Sequence, residues 1–199
     1  MPKNKANQAR TNSDAMAASN GSDTPLRHRS EATGLSSHYA PGEERPLAAY
    51  AMITGAYATV ITGSIIALRA RGHEIPIRPD VGDIVLTGIA AHKLSRLIAK
   101  DKVTSFARAP FTRYQKPGGP GEVEEEPYGR GVRFAVGELL VCPYCLAQWA
   151  ATGLTLGLVG APRFTRLFSS VLVAHTISDF LQVAYRAAEA QARAIQADP

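Results

Sequence analysis

Apolar residues in this chain come in long blocks free of charge, separated by polar segments rich in Gly and Pro. The first block, PLAAYAMITGAYATVITGSIIAL, runs uncharged from Pro46 to Leu68. At about 1.5 Å per residue, a helix of that length exceeds a hydrocarbon core of about 30 Å. Gly55 and Gly63, with neighbouring Ala and Ser, offer small surfaces against which another helix can pack closely. A second segment, Asp80 to Lys100, begins acidic and ends basic, the arrangement a helix dipole favours. Its apolar or small run, Ile84 to Ala91, stops at His92 and Lys93, so it either crosses a membrane with its basic end snorkelling or lies on the surface; crossing is preferred. A third block, GELLVCPYCLAQWAATGLTLGLVG from Gly137 to Gly160, is uncharged from Leu139 onward. A fourth, Leu167 to Tyr185, carries the single charge of Asp179. Helices are predicted at about 46–68, 80–100, 136–160 and 166–186.

The intervening segments read as connectors. Residues 1–45 are polar, poor in Ile, Val and Phe and without periodicity, the signature of a disordered tail. Residues 101–135 form a loop on the cytoplasmic side, with a flexible stretch from Pro117 to Gly121 and a solvated acidic run from Glu122 to Glu126. Residues 187–199 are a polar C-terminal tail. The pattern therefore predicts an all-α fold: a small multi-span transmembrane helical bundle over residues 46–186, with four spans preferred and three possible.

Charge sharpens the orientation. The net charge of +5 and pI near 9.4 suit nucleic acid, an anionic membrane surface or the cytoplasmic flanks of membrane spans. Lys3, Lys5, Arg10, Arg27 and Arg29 are too scattered for a nucleic-acid site, and the tail reads as solvated. With four spans and a cytoplasmic N-terminus, only Arg69, Arg71, Arg78, Arg163 and Arg166 fall outside, and every other Lys and Arg falls inside. The positive-inside rule prefers this topology in the cell membrane. The expected partners are the lipid bilayer and a membrane protein or a second copy of the chain.

That topology brings polar groups of three helices to one depth. His92, Lys93 and Arg96 approach the inner interface on the second helix, Glu138, Cys142 and Cys145 on the third, and His175 and Asp179 on the fourth. Ionisable groups at membrane depth are costly unless paired or wet, so Glu138 and Asp179 are expected to pair with Lys93 or Arg96.

The cysteines, only two and three residues apart, exclude a disulfide framework of the secreted type. Cys142-Pro143-Tyr144-Cys145 has three readings. As a redox dithiol it has glutaredoxin-like spacing at a helix start, without the βαβ setting of those enzymes. As half of a zinc site, Cys142 and Cys145 need a second pair from His92, His175 or another subunit. As structure, two small thiols and a proline in a first helical turn require no chemistry and no cofactor.

The stretches AAHKLSRLIAKDKVTSFARAPFTRY, from Ala90 to Tyr114, and VGELLVCPYCLAQWAAT, from Val136 to Thr152, resemble a bacterial membrane-protein family known as domain of unknown function 1360. The matching positions are His92, Lys93, Arg96, Asp101, Lys102, Thr104, Arg108, Pro110, Phe111, Thr112, Glu138, Cys142, Pro143, Cys145 and Trp149. The resemblance implies a small multi-span membrane protein and brings no established activity to carry over to these positions. The reading reached is a non-enzymatic integral membrane protein, with a membrane-bound dithiol or metal protein as the alternative.

Overall fold

The computed structural model describes residues 45–76 and 78–197, together with Tyr39. The expected tail, residues 1–45, lies outside the described residues except for Tyr39 and Arg45. Among the described residues, six helices and one two-stranded sheet follow in order: α1 (Leu47–Ala70), α2 (Val81–Lys100), α3 (Ser105–Arg108), β1 (Thr112–Pro117), β2 (Val123–Pro127), α4 (Val132–Val141), α5 (Pro143–Gly160) and α6 (Pro162–Ala197).

Four helices build the bundle, and α2 is its centre, lying against α5 and α6. The Asp80 side chain caps its start by accepting from the Asp83 amide, as the acidic N-terminus led one to expect. Asp83 meets Arg166 at the start of α6 at 2.7 Å, and Lys93 meets Asp179 further along, so α2 and α6 run parallel. Tyr50 contacts Glu138, Tyr57 contacts Thr152, and Leu68 lies beside Gly160, so α1 and α5 also run parallel. The turn at Ala161 makes α5 and α6 antiparallel, and Gly157 lets them close: a Cβ there would lie 2.7 Å from Thr165 Oγ1. The four helices thus alternate in direction.

The core combines many small residues with a few leucines. Ala90, Ala91, Leu154 and Leu172 form its centre, and Thr87, Ser95, Thr165, Ser169 and Thr176 are buried as well. Many large apolar side chains lie outside: Val85, Val60, Val171, Phe180 and Leu181 are all more than half exposed. By length and composition α1 and α6 could each cross a membrane, and α4 with α5 could form a third, bent span. α2 does not reach that standard of length and apolarity.

Two sequence expectations change. First, the fold is not all-α: the loop over 101–135 contains α3 and a β-hairpin in which Thr112 faces Pro127 and Pro117 faces Val123. The stretch from Pro117 to Gly121 is the hairpin's turn, closed by hydrogen bonds between Gly118 and Glu122 and between Glu122 and Gly119. Gly121 adopts φ +78°, a conformation that side chains with a Cβ rarely take, and its carbonyl accepts from the Lys102 amide. Second, the third helix breaks at Cys142 and bends by 83°. Pro143 has no amide hydrogen to continue α4 and serves instead as the first residue of α5. α6 continues beyond 186 as one helix through Ala197. Its Ala-rich sequence has no proline or glycine to stop it.

Candidate functional site

The polar groups gather at the end of the bundle where α2 and α6 emerge and α5 begins, and a buried arginine organises that end. α2 leaves four carbonyls without intrahelical partners at its C-terminus. Arg108, 1% exposed, fills this gap: its Nη1 donates to the Ile98 carbonyl at 2.5 Å and its Nη2 to the Asp101 carbonyl at 3.0 Å. Nη1 also donates to Thr104 Oγ1 at 2.7 Å, and Thr104 in turn donates to the Leu97 carbonyl at 2.5 Å. The remaining two donors bind Glu125 on β2 as a fork, Nε to Oε2 at 2.9 Å and Nη2 to Oε1 at 3.0 Å. All five guanidinium donors are satisfied, the condition under which a buried arginine is tolerated. Thr112 Oγ1, 2.8 Å from Glu125 Oε2, completes the set.

The acidic run expected to be solvated is therefore a docking strip. Besides Glu125 with Arg108, Glu122 meets Arg96 at 2.5 Å and Glu124 meets Lys100 at 2.8 Å. Arg96 and Lys100 are one turn apart on α2, and Glu122 and Glu124 alternate along the chain, so one helix face matches one strand face. The Lys100 ammonium holds the Glu124 carboxyl below its ordinary value of 4.5, first through the hydrogen bond and then through its charge. The spacing of the two basic residues against the two acidic ones was the signal in the sequence that could have revealed this pairing.

The expected polar cluster divides in two. His92, Lys93, Arg96, His175 and Asp179 line one cleft of about 570 Å³, closed on its third side by the hairpin turn from Gly119 to Glu122. Within it Lys93 pairs with Asp179, and His175 Nε2 lies 3.7 Å from Asp179 Oδ1. Arg96 faces Glu122 rather than a membrane carboxylate. Glu138 stands apart. It accepts a 2.5 Å hydrogen bond from the Tyr50 hydroxyl and lies 3.6 Å from Arg45, so it pairs with neither Lys93 nor Arg96. Tyr50 and Arg45 were missed by sequence reasoning, because nothing local marks a tyrosine on the first helix as the partner of a glutamate on the fourth.

The cysteines lie on the Glu138 side, at the break between α4 and α5. Cys142 is the N-cap of α5, and its sulfur accepts from the Cys145 amide at 3.3 Å. The two sulfurs are 2.7 Å apart and both thiols are free. Among the described residues no group of three His, Cys, Asp or Glu side chains could hold a metal, so His92 and His175 do not complete a zinc shell with Cys142 and Cys145. Those histidines belong to the cleft instead.

Beyond the cysteines, polar contacts continue between α1 and α5. Gln148 Nε2 donates to the Tyr57 hydroxyl at 2.6 Å, Thr152 lies 2.6 Å from the same hydroxyl, and Trp149 meets Tyr57 edge-on at 4.9 Å.

The model of the family described as Protein of unknown function (DUF1360) matches residues 86–185, which contain the arginine clamp, the cleft and the cysteine pair. No curated protein and no solved structure matches the chain.

Proposed function

Because the chain belongs to the DUF1360 family, and the matched segment holds the whole capped end of the bundle, we propose that it is a multi-pass cell-membrane protein working as a non-enzymatic binding bundle. It crosses four times, with its N-terminus in the cytoplasm, and offers the cleft at its inner end to a partner. One observation carries this reading. Many large apolar side chains on the helices are exposed, while the buried positions of the long helices are mostly Ala, Ser and Thr, with Leu146, Leu154 and Leu172 among them. A water-soluble bundle buries its large apolar side chains. A bundle in lipid gains nothing by doing so and packs through small residues instead.

The same inversion explains α2. Val81, Ile84, Val85 and Ile89 are exposed, and Thr87, Ala90, Ala91 and Ser95 are buried, so its modest overall hydropathy conceals an apolar outer face. In this reading α4 and α5 together supply the third crossing, as one span bent by 83° at Cys142.

The test is topology mapping in intact cells. Cys142 and Cys145 should resist a membrane-impermeant maleimide until the membrane is permeabilised. In a variant lacking both, a cysteine at Gly72 should label from outside. Labelling of the native pair from outside would overturn the orientation, and labelling of both sites from the same side would overturn the four crossings.

A further inference from the structure

The cysteine pair carries chemistry that a structural role does not need. Its sulfurs are 2.7 Å apart, at the 83° break between α4 and α5. Cys145 is exposed, Tyr144 between the two is 88% exposed and Cys142 is half-buried, so the pair lies at the surface rather than in the core. Of the two sulfurs, Cys142 is the one arranged to carry negative charge. It accepts from the Cys145 amide and from the Cys145 thiol, and it caps the N-terminus of an 18-residue helix. Glu138, one turn earlier, would oppose a thiolate there, but Tyr50 and Arg45 take up its charge.

We infer that Cys142 and Cys145 form a reversible dithiol–disulfide couple that exchanges with a disulfide reaching the inner face of the membrane. The Cys142 thiolate attacks one sulfur of the incoming disulfide. A Cys142–sulfur bond forms, the incoming sulfur–sulfur bond breaks, and one thiolate leaves and takes a proton from solvent. Cys145 then loses its proton, and its sulfur attacks Cys142 Sγ, releasing the second thiol. The chain gives up two electrons and two protons, and the incoming disulfide becomes two thiols. The reverse sequence regenerates the dithiol. Closure needs little rearrangement, because Cys142 and Cys145 already face each other across the first turn of α5.

The experiment uses the full chain in detergent, oxidised by either glutathione disulfide or insulin, with free thiols counted by maleimide mass tagging. Loss of both tags together, without a retained adduct and reversed by reduced glutathione, is the expected result. Faster reaction with glutathione disulfide marks a small-thiol partner, and faster reaction with insulin marks a protein partner. Cys145→Ser should hold one glutathione on Cys142 as a stable mixed disulfide, and Cys142→Ser should react at least tenfold more slowly. Two thiols that stay free in excess oxidant, or two single variants that react at equal rates, would overturn the proposal. The wild-type titration needs no variant, so it stands even where a serine variant fails to fold.

Discussion

Arg108 and Glu125 meet as a buried fork, the guanidinium 1% and the carboxylate 5% exposed, and this pair joins the C-terminus of α2 to the strand β2. It fixes the position of the hairpin, and the hairpin turn forms one wall of the cleft.

Removing one partner of such a pair leaves a buried charge without compensation. Arg108→Met or Glu125→Leu alone should each destabilise the protein by about 3–5 kcal/mol. The double variant should recover most of that loss. Thermal unfolding of the four proteins in one detergent measures the coupling, and additive losses would show that the two side chains act independently.

The paired charges of the cleft make a second set of expectations. Lys93→Asp and Asp179→Lys should each lower the unfolding temperature, and the double exchange should restore most of it, because the pair is direct. Arg96 should behave differently. Its reversal should be rescued by Glu122→Arg and not by any change at Asp179.

Glu124 sets a pH dependence. Its folded value lies below 4.5, so the unfolded chain takes up the proton first as the pH falls. Its contribution is fully present above 4.5 and is lost as the pH falls through the lowered folded value. In Glu124→Gln, the decline in unfolding temperature on acidification should be shallower than in wild type. A parallel decline in both would remove Glu124 from the acid limb.

Gly137 on α4 packs against the hairpin backbone: a Cβ there would lie 2.5 Å from the Phe111 carbonyl oxygen and 3.2 Å from Pro127 Cα. Neither neighbour is a flexible side-chain tip. Gly137→Ala should therefore cost roughly 1–3 kcal/mol by forcing α4 off the hairpin. Gly153→Ala, where nothing lies within 4 Å, should be neutral or stabilising by up to about 1 kcal/mol. Unfolding temperatures of the two variants decide the comparison.

How much was legible follows from what each feature depends on. The first helix could be read from Pro46 to Leu68 because an uncharged run and its length are properties of consecutive residues. α2 was bounded by its own acidic start and basic end. The acidic run from Glu122 to Glu126 was misread because solvation is the ordinary fate of such a run, and only the hairpin brings it within reach of Arg96, Lys100 and Arg108.

By itself the sequence determined the apolar blocks, the placement of Pro143 at a helix start and the nearness of two thiols three residues apart, all of which are local. Tertiary structure alone decided that Glu138 belongs to Tyr50 and Arg45 rather than to Lys93 or Arg96, and that the histidines and the cysteines lie in different places. Depth along a helix can be counted from a sequence, but the direction in which a side chain points around the helix axis is settled by what packs beside it. Residues at one depth on separate helices therefore need not meet.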